Sequence, residues 1–156
     1  MTDYINSIKN FRNINRNLNL VTIQILQIIN EMNYLELRKE LIARGHEFRS
    51  ATDTEVFAHQ IEENFQGDLL AAVRQALKAV KGAYALAVIS KNQPGKIVVA
   101  RSGSPLIIGH GDKESFIASD IPAILKYTGR VTYLDNGEVA EISADGPRIV
   151  DLHGNP

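Results

Sequence analysis

The apolar positions change their period once along the chain, and that change divides the predicted architecture. From residue 33 the spacing is helical: Tyr34, Leu37 and Leu41 recur at i, i+3 and i+7, and Gly45 stands where a left-handed C-terminal cap is expected. Residues 46–50 read as a short extended piece. Ser50-Ala51-Thr52-Asp53-Thr54-Glu55-Val56 then opens a second helix. Thr52 followed three residues later by Glu55 is a capping box, with the hydroxyl accepting from the third helical amide and the glutamate reaching back to the cap amide. Phe57, Ile61 and Phe65 repeat at four-residue spacing, Gly67 ends this helix and Asp68 caps the next. The third helix, with its stripe of Leu69, Val73, Ala76, Leu77 and Val80, is the most periodic.

From residue 83 the period becomes two. Ala83-Tyr84-Ala85-Leu86-Ala87-Val88-Ile89 alternates alanine with larger apolar side chains, as a strand buried on both faces does when one face packs closely. Asn92-Gln93-Pro94-Gly95 is a turn before a strand over 96–100. Shorter strands are expected over 106–109, 115–118, 130–134, 138–142 and 148–152. Ser119-Asp120 reads as the cap of a short helix with Pro122 in its first turn. Asp135-Asn136-Gly137 reads as a hairpin, because Asn-Gly accepts positive φ at both central positions, and Asp145-Gly146-Pro147 as a further turn. Helices followed by antiparallel strands predict a layered α+β domain and exclude a doubly wound parallel sheet.

Residues 1–32 follow neither pattern. They hold Asn6, Asn10, Asn13, Asn15, Asn17, Asn19 and Asn30, with an apolar run over 18–29 that Thr22, Gln24 and Gln27 interrupt. No basic cluster leads into the run and no small-residue cleavage site follows, so it reads as neither a secretory signal nor a membrane span. The expectation is an asparagine-rich, partly disordered arm over 1–32 and one domain over 33–156.

Composition narrows the chemistry by exclusion. Lys+Arg 17 against Asp+Glu 18 gives a net charge of -1, so no nucleic-acid or acidic-membrane surface is expected. The 156 residues include no cysteine, which excludes disulfides, thiolate metal sites and cysteine nucleophiles. Asp53 lies in the first turn of its helix, where a carboxylate is favoured by the positive helix end and offers a fixed charge to a ligand cation; helix initiation alone is the plainer role. Glu55 and His59 share a helical face, but His46, His110 and His153 stand at no ligand spacing from them, so no metal is expected. Gly109-His110-Gly111 resembles a nucleotide loop without its third glycine and reads as a turn. Ser102 and Ser104 lack the strand-turn-helix setting of an activated serine, and Arg101 reads as a solvated side chain.

Asn33-Tyr34-Leu35-Glu36-Leu37-Arg38, Thr52-Asp53-Thr54-Glu55-Val56, Lys81-Gly82-Ala83-Tyr84-Ala85-Leu86, Ala100-Arg101-Ser102-Gly103-Ser104-Pro105-Leu106 and Phe116-Ile117-Ala118-Ser119-Asp120 occur in this order. Together they resemble the later part of the glutaminase domain of glutamine:fructose-6-phosphate aminotransferases, the glucosamine-6-phosphate synthase family, from about residue 33 onward. The resemblance implies part of a four-layer αββα domain of the N-terminal-nucleophile type, as in class II glutamine amidotransferases. In that family the domain hydrolyses glutamine, and the ammonia passes to a sugar-isomerase domain that converts fructose 6-phosphate to glucosamine 6-phosphate. It also implies that Asp53 binds the α-ammonium of glutamine, with no cofactor and a cytoplasmic location.

The departures from the family are as informative. The family's nucleophile is an N-terminal cysteine, whereas this sequence opens Met1-Thr2-Asp3 and has none. The family's oxyanion asparagine-glycine pair falls, in the same register, on Ile28 and Ile29. The segment that holds the glutamine carboxylate and the sugar domain are both expected to be missing. The expectation is therefore a fragment inactive alone, with residual glutamine affinity or none, and prone to self-association through uncovered strand edges. The alternatives are one chain of a split glutaminase that a complementing chain completes, and a non-catalytic glutamine-binding or regulatory module.

Overall fold

A computed structural model describes residues 23–24 and 33–156. Three helices form the first part of the domain: α1 (Tyr34–Ala43), α2 (Asp53–Asn64) and α3 (Leu69–Lys78). A two-residue strand, β1 (Ile23–Gln24), precedes them, and seven follow: β2 (Tyr84–Ile89), β3 (Ile97–Ser102), β4 (Ile107–His110), β5 (Ser115–Ala118), β6 (Val131–Tyr133), β7 (Val139–Ser143) and β8 (Gly146–Val150). They form a five-stranded sheet in the order β1-β2-β3-β7-β8 and a three-stranded sheet in the order β5-β4-β6, every strand pair antiparallel.

The two periods of the sequence become layers. On one face of the large sheet Leu86, Val88, Val98, Ala100 and Val139 pack under Phe57, Ile61, Leu69, Val73 and Leu77 of α2 and α3. On the other, Ala85, Ala87, Val99, Ala140 and Ile142 meet Leu106, Ile108 and Leu134 from the small sheet and its flanks. The alanines of β2 lie on the sheet-on-sheet side, where a short side chain lets the layers approach. Beyond the small sheet, Ile107 and Ala118 pack against Ile124, with Phe116 and Ile121 beside them. The order is helices, sheet, sheet and an outer turn segment. α1 joins α2 through Leu37, Leu41 and Val56.

The helix ends follow their capping residues. α1 closes in a Schellman turn: Gly45 has φ +97, its amide donates to Ile42 O, and the His46 amide donates to Leu41 O at 3.0 Å. Asp68 caps α3 by accepting from the Ala71 amide at 3.2 Å. Asn33 precedes α1 without capping it; its side chain accepts from Lys81 N and donates to Ala79 O, tying the start of α1 to the end of α3.

Three local expectations are corrected. Asp135-Asn136-Gly137 is not a hairpin: β6 pairs with β4 and β7 with β3, so the turn carries the chain from one sheet to the other. Gly137 has φ +83, but Asn136 is not left-handed, and its side chain instead accepts from Arg101 Nη2 at 2.7 Å and Gly103 N at 2.8 Å. Residues 119–128 form successive turns rather than a helix, although Asp120 accepts from the Ala123 amide as a cap does. Gly146 and Pro147 lie inside β8 rather than in a turn; β8 is an edge strand, the place where a strand tolerates proline. β8 ends where Asp151 Oδ1 collects the amides of His153, Gly154 and Asn155.

Gly109 belongs to β4 and is not part of a phosphate loop. A methyl there would come within 2.7 Å of Ile124 Cδ1 and 3.0 Å of Thr128 Cγ2, so the outer turn segment needs this glycine to close on the sheet. Gly109→Ala is expected to destabilise the fold by about 1–3 kcal/mol through overpacking, read as a lower urea midpoint at unchanged slope. Among the described residues no helix is long and apolar enough to cross a membrane.

Candidate functional site

Thr52, Asp53 and Glu55, singled out by the sequence, stand together at the N-terminus of α2. Thr52 is extended (φ -80, ψ 146), and its hydroxyl accepts from the Glu55 amide at 3.4 Å. The reciprocal half of the capping box differs from expectation. Glu55 does not bond the Thr52 amide; Oε1 accepts from Arg49 N at 2.7 Å, and Oε2 accepts from Ser50 N and Ser50 Oγ, both at 2.6 Å. The Thr52 amide donates instead to Ser50 Oγ at 3.3 Å. Arg38 holds the same strip from behind, donating to Ser50 O at 2.7 Å while its guanidinium lies 4.2 Å from the centre of the Phe48 ring. One carboxylate and one arginine thus fix residues 49–52 onto the helix start.

Burial pushes the Glu55 carboxyl up, but the bonds from the Ser50 side chain and the Arg49 and Ser50 amides, with His59 nearby, outweigh it and hold Glu55 below its ordinary value of 4.5. The folded state then binds this proton less tightly than the unfolded chain does. The contribution of Glu55 to stability is complete above the unfolded value and is lost as pH falls through the folded one. Glu55→Gln is expected to flatten the loss of stability below about pH 4.5 in chemical denaturation across an acid series.

Asp53 is the first residue of the helix and is half-buried. Its Oδ1 accepts from the Thr54 amide at 2.7 Å and from Thr54 Oγ1 at 3.3 Å, leaving Oδ2 without a protein donor among the described residues. A carboxylate oriented through one oxygen presents the other to a cation at little further cost in side-chain entropy.

The remaining candidates separate into structural and unexplained groups. Arg101 is not a free solvated side chain: Nη1 donates to Leu134 O at 3.0 Å and Nη2 to Asn136 Oδ1, fastening the end of β3 to the crossover between the sheets. Ser102 ends β3 and Ser104 is buried in the loop after it, with its amide on Ser102 O. His110 Nε2 meets Thr132 Oγ1 at 2.7 Å across β4 and β6. Ile28 and Ile29, the positions of the family's oxyanion pair, lie outside the described residues. His46, which stands at no ligand spacing from Glu55 and His59 in the sequence, is nonetheless brought beside them: its Nδ1 lies 3.1 Å from His59 Nδ1. No spacing rule links positions 46 and 59; they meet because the Schellman turn folds residue 46 back over α2.

This layered fold has known counterparts. Residues 8–126 match the family model described as a glutamine amidotransferase domain. The chain belongs to the glutamine amidotransferase domain family. Within the family, a glutamine–fructose-6-phosphate aminotransferase (isomerizing) of Thermus thermophilus is 55% identical over 124 residues, covering 80% of this chain and 20% of that protein. Its counterpart in Aquifex aeolicus is 51% identical over 124 residues, covering 80% and 21%. The chain therefore spans about a fifth of the length of the curated relatives it matches. Among solved structures, the glutamine phosphoribosylpyrophosphate amidotransferase of B. subtilis, complexed with ADP and GMP, superposes with a TM-score of 0.69 at 26% identity, over 88% of this chain and 30% of that one. A class II glutamine aminotransferase domain protein from Silicibacter pomeroyi shares the fold alone, at TM-score 0.51 and 15% identity, over 84% and 63%. The α+β architecture is that of the N-terminal-nucleophile amidotransferases.

Proposed function

We propose that this chain is the part of a glutamine-hydrolysing domain that grips the substrate amine, that Asp53 accepts the α-ammonium of glutamine through Oδ2, and that a polypeptide of this sequence does not cleave glutamine alone. The observation that carries the reading is Asp53 itself, oriented by Thr54 on a helix start that Glu55 and Arg38 make rigid, in a chain half identical to glutamine-dependent aminotransferases. The sequence contains no thiol to attack the side-chain amide, and the one histidine of the small sheet is engaged with Thr132 rather than with a serine of the 101–105 loop. On this reading residues 33–156 are the main amidotransferase portion, and the arm over 1–32 shares in it: the family match begins at residue 8, and Ile23 and Gln24 pair with Val88 and Ala87.

A chimera tests the proposal. Residues 33–156 replace the matching segment of the Thermus relative, and glutamate release is measured. Activity within about tenfold of the parent is expected, equivalent to a change of about 1.4 kcal/mol or less in the barrier; an inert chimera that folds would contradict the assignment.

A further inference from the structure

The cluster beside α2 has the spacing of metal ligands. His46 Nδ1 and His59 Nδ1 are 3.1 Å apart, His59 Nδ1 and Glu62 Oε2 are 3.2 Å apart, and one ligand atom from each of the three residues lies within 4.8 Å of the others. Zinc holds imidazole nitrogen at about 2.0–2.1 Å and carboxylate oxygen at about 2.0–2.2 Å, so adjacent ligand atoms of a tetrahedral site stand about 3.3–3.5 Å apart. The two short spacings are within a few tenths of an ångström of that.

Proton bookkeeping separates a metal site from an ordinary hydrogen-bonded group. A carboxylate only accepts, so with neutral rings Nδ1 of His59 must carry the proton that faces Glu62, and Nε2 is then a bare acceptor. That atom is buried without a hydrogen-bond partner, on a side chain only 8% exposed, and what faces it at 4.0 Å is another acceptor, Glu55 Oε1. A divalent cation between the two Nδ1 atoms and Glu62 Oε2 reverses this. Both Nδ1 lone pairs bind the metal, and both protons move to Nε2: that of His59 toward Glu55 Oε1, and that of His46 toward Glu63 Oε1 at 3.7 Å. Each imidazole then has a carboxylate behind it, the arrangement by which metal-ligating histidines are oriented. Glu63 is already paired with Arg44, which leaves the Glu55 and Glu62 carboxylates beside the two imidazoles, and a dication offsets their charge. Glu62 is about half exposed, which leaves a path from solvent and room for water as a fourth ligand.

We propose that His46, His59 and Glu62 bind one divalent transition-metal ion, zinc by ligand type and geometry, clamping the turn after α1 to the middle of α2. The site contains none of the residues assigned to glutamine.

Cobalt(II) titration of the full chain tests this. One equivalent is expected to produce the intense visible absorption of a tetrahedral nitrogen–oxygen site, zinc is expected to displace it, and zinc is expected to raise the melting temperature. His46→Gln and Glu62→Gln should each weaken binding at least about tenfold, as the loss of a ligand or its support does, while leaving the metal-free melt unchanged, and His153→Gln should change nothing. On the unaltered chain, zinc should move the ring nitrogen NMR signals of His46 and His59 but not those of His110 and His153, a readout that needs no variant. No tetrahedral spectrum, a spectrum that survives both His46→Gln and Glu62→Gln, or ring signals that respond only to acid would overturn the site and leave a proton as the sole occupant.

Discussion

Replacing Asp53 by asparagine in the chimera is expected to lower kcat/KM for glutamine by roughly 30- to 5,000-fold, the equivalent of about 2–5 kcal/mol for removing one partner of a hydrogen-bonded charge pair. Asparagine keeps an oxygen able to accept from the Thr54 amide, so the helix start retains its internal bond and loses only the charge. The melting temperature should therefore barely move. Thr52→Ala separates the structural role from the binding role in the opposite direction: it removes the cap that accepts from Glu55 N and should cost about 1 kcal/mol of stability, with little change in glutamine dependence. If Asp53→Asn lowered stability and left kcat/KM intact, Asp53 would be a helix starter and nothing more.

Phe57→Ala is expected to destabilise the chain by about 3–5 kcal/mol, measured as a drop in the urea midpoint. Phe57 is 2% exposed and lies in the core that α2 shares with α3 and the large sheet, so truncation empties space that neighbours on two elements cannot fill together. A loss of this size is a large part of the total stability of a small domain. Phe65, which ends α2 and is only partly buried against the same core, should cost clearly less on truncation to alanine.

Caps and core stripes of this kind are legible in the sequence. The Gly45 cap, the Thr52 and Asp68 caps, and the alanine alternation of β2 all appear where their spacing places them, because each depends on neighbours within a few residues. Asn136 misleads for the opposite reason. Asn-Gly is a hairpin signal by intrinsic φ preference, but the Asn136 side chain serves as an acceptor for Arg101 and Gly103, more than thirty residues away, and the chain changes sheets instead of turning back. The same long-range bond holds the Arg101 guanidinium in place rather than leaving it free in solvent. The His46–His59 contact has no periodic signature at all, since it is made by a turn and not by a helix face. Asp53 is an intermediate case: its place at the helix start is readable from the capping box, but its meaning comes only from the motif around it.

Whether the chain can hold glutamine without cutting it is open to one direct measurement. The pure 156-residue chain is incubated with glutamine, and released ammonia is followed by a coupled assay. The expected rate is no higher than the uncatalysed background, because a carboxylate that holds the substrate amine cannot by itself attack an amide carbon. Ammonia released at an enzymic rate, and abolished by Asp53→Asn, would contradict this and would require a nucleophile among the residues assigned here to structure.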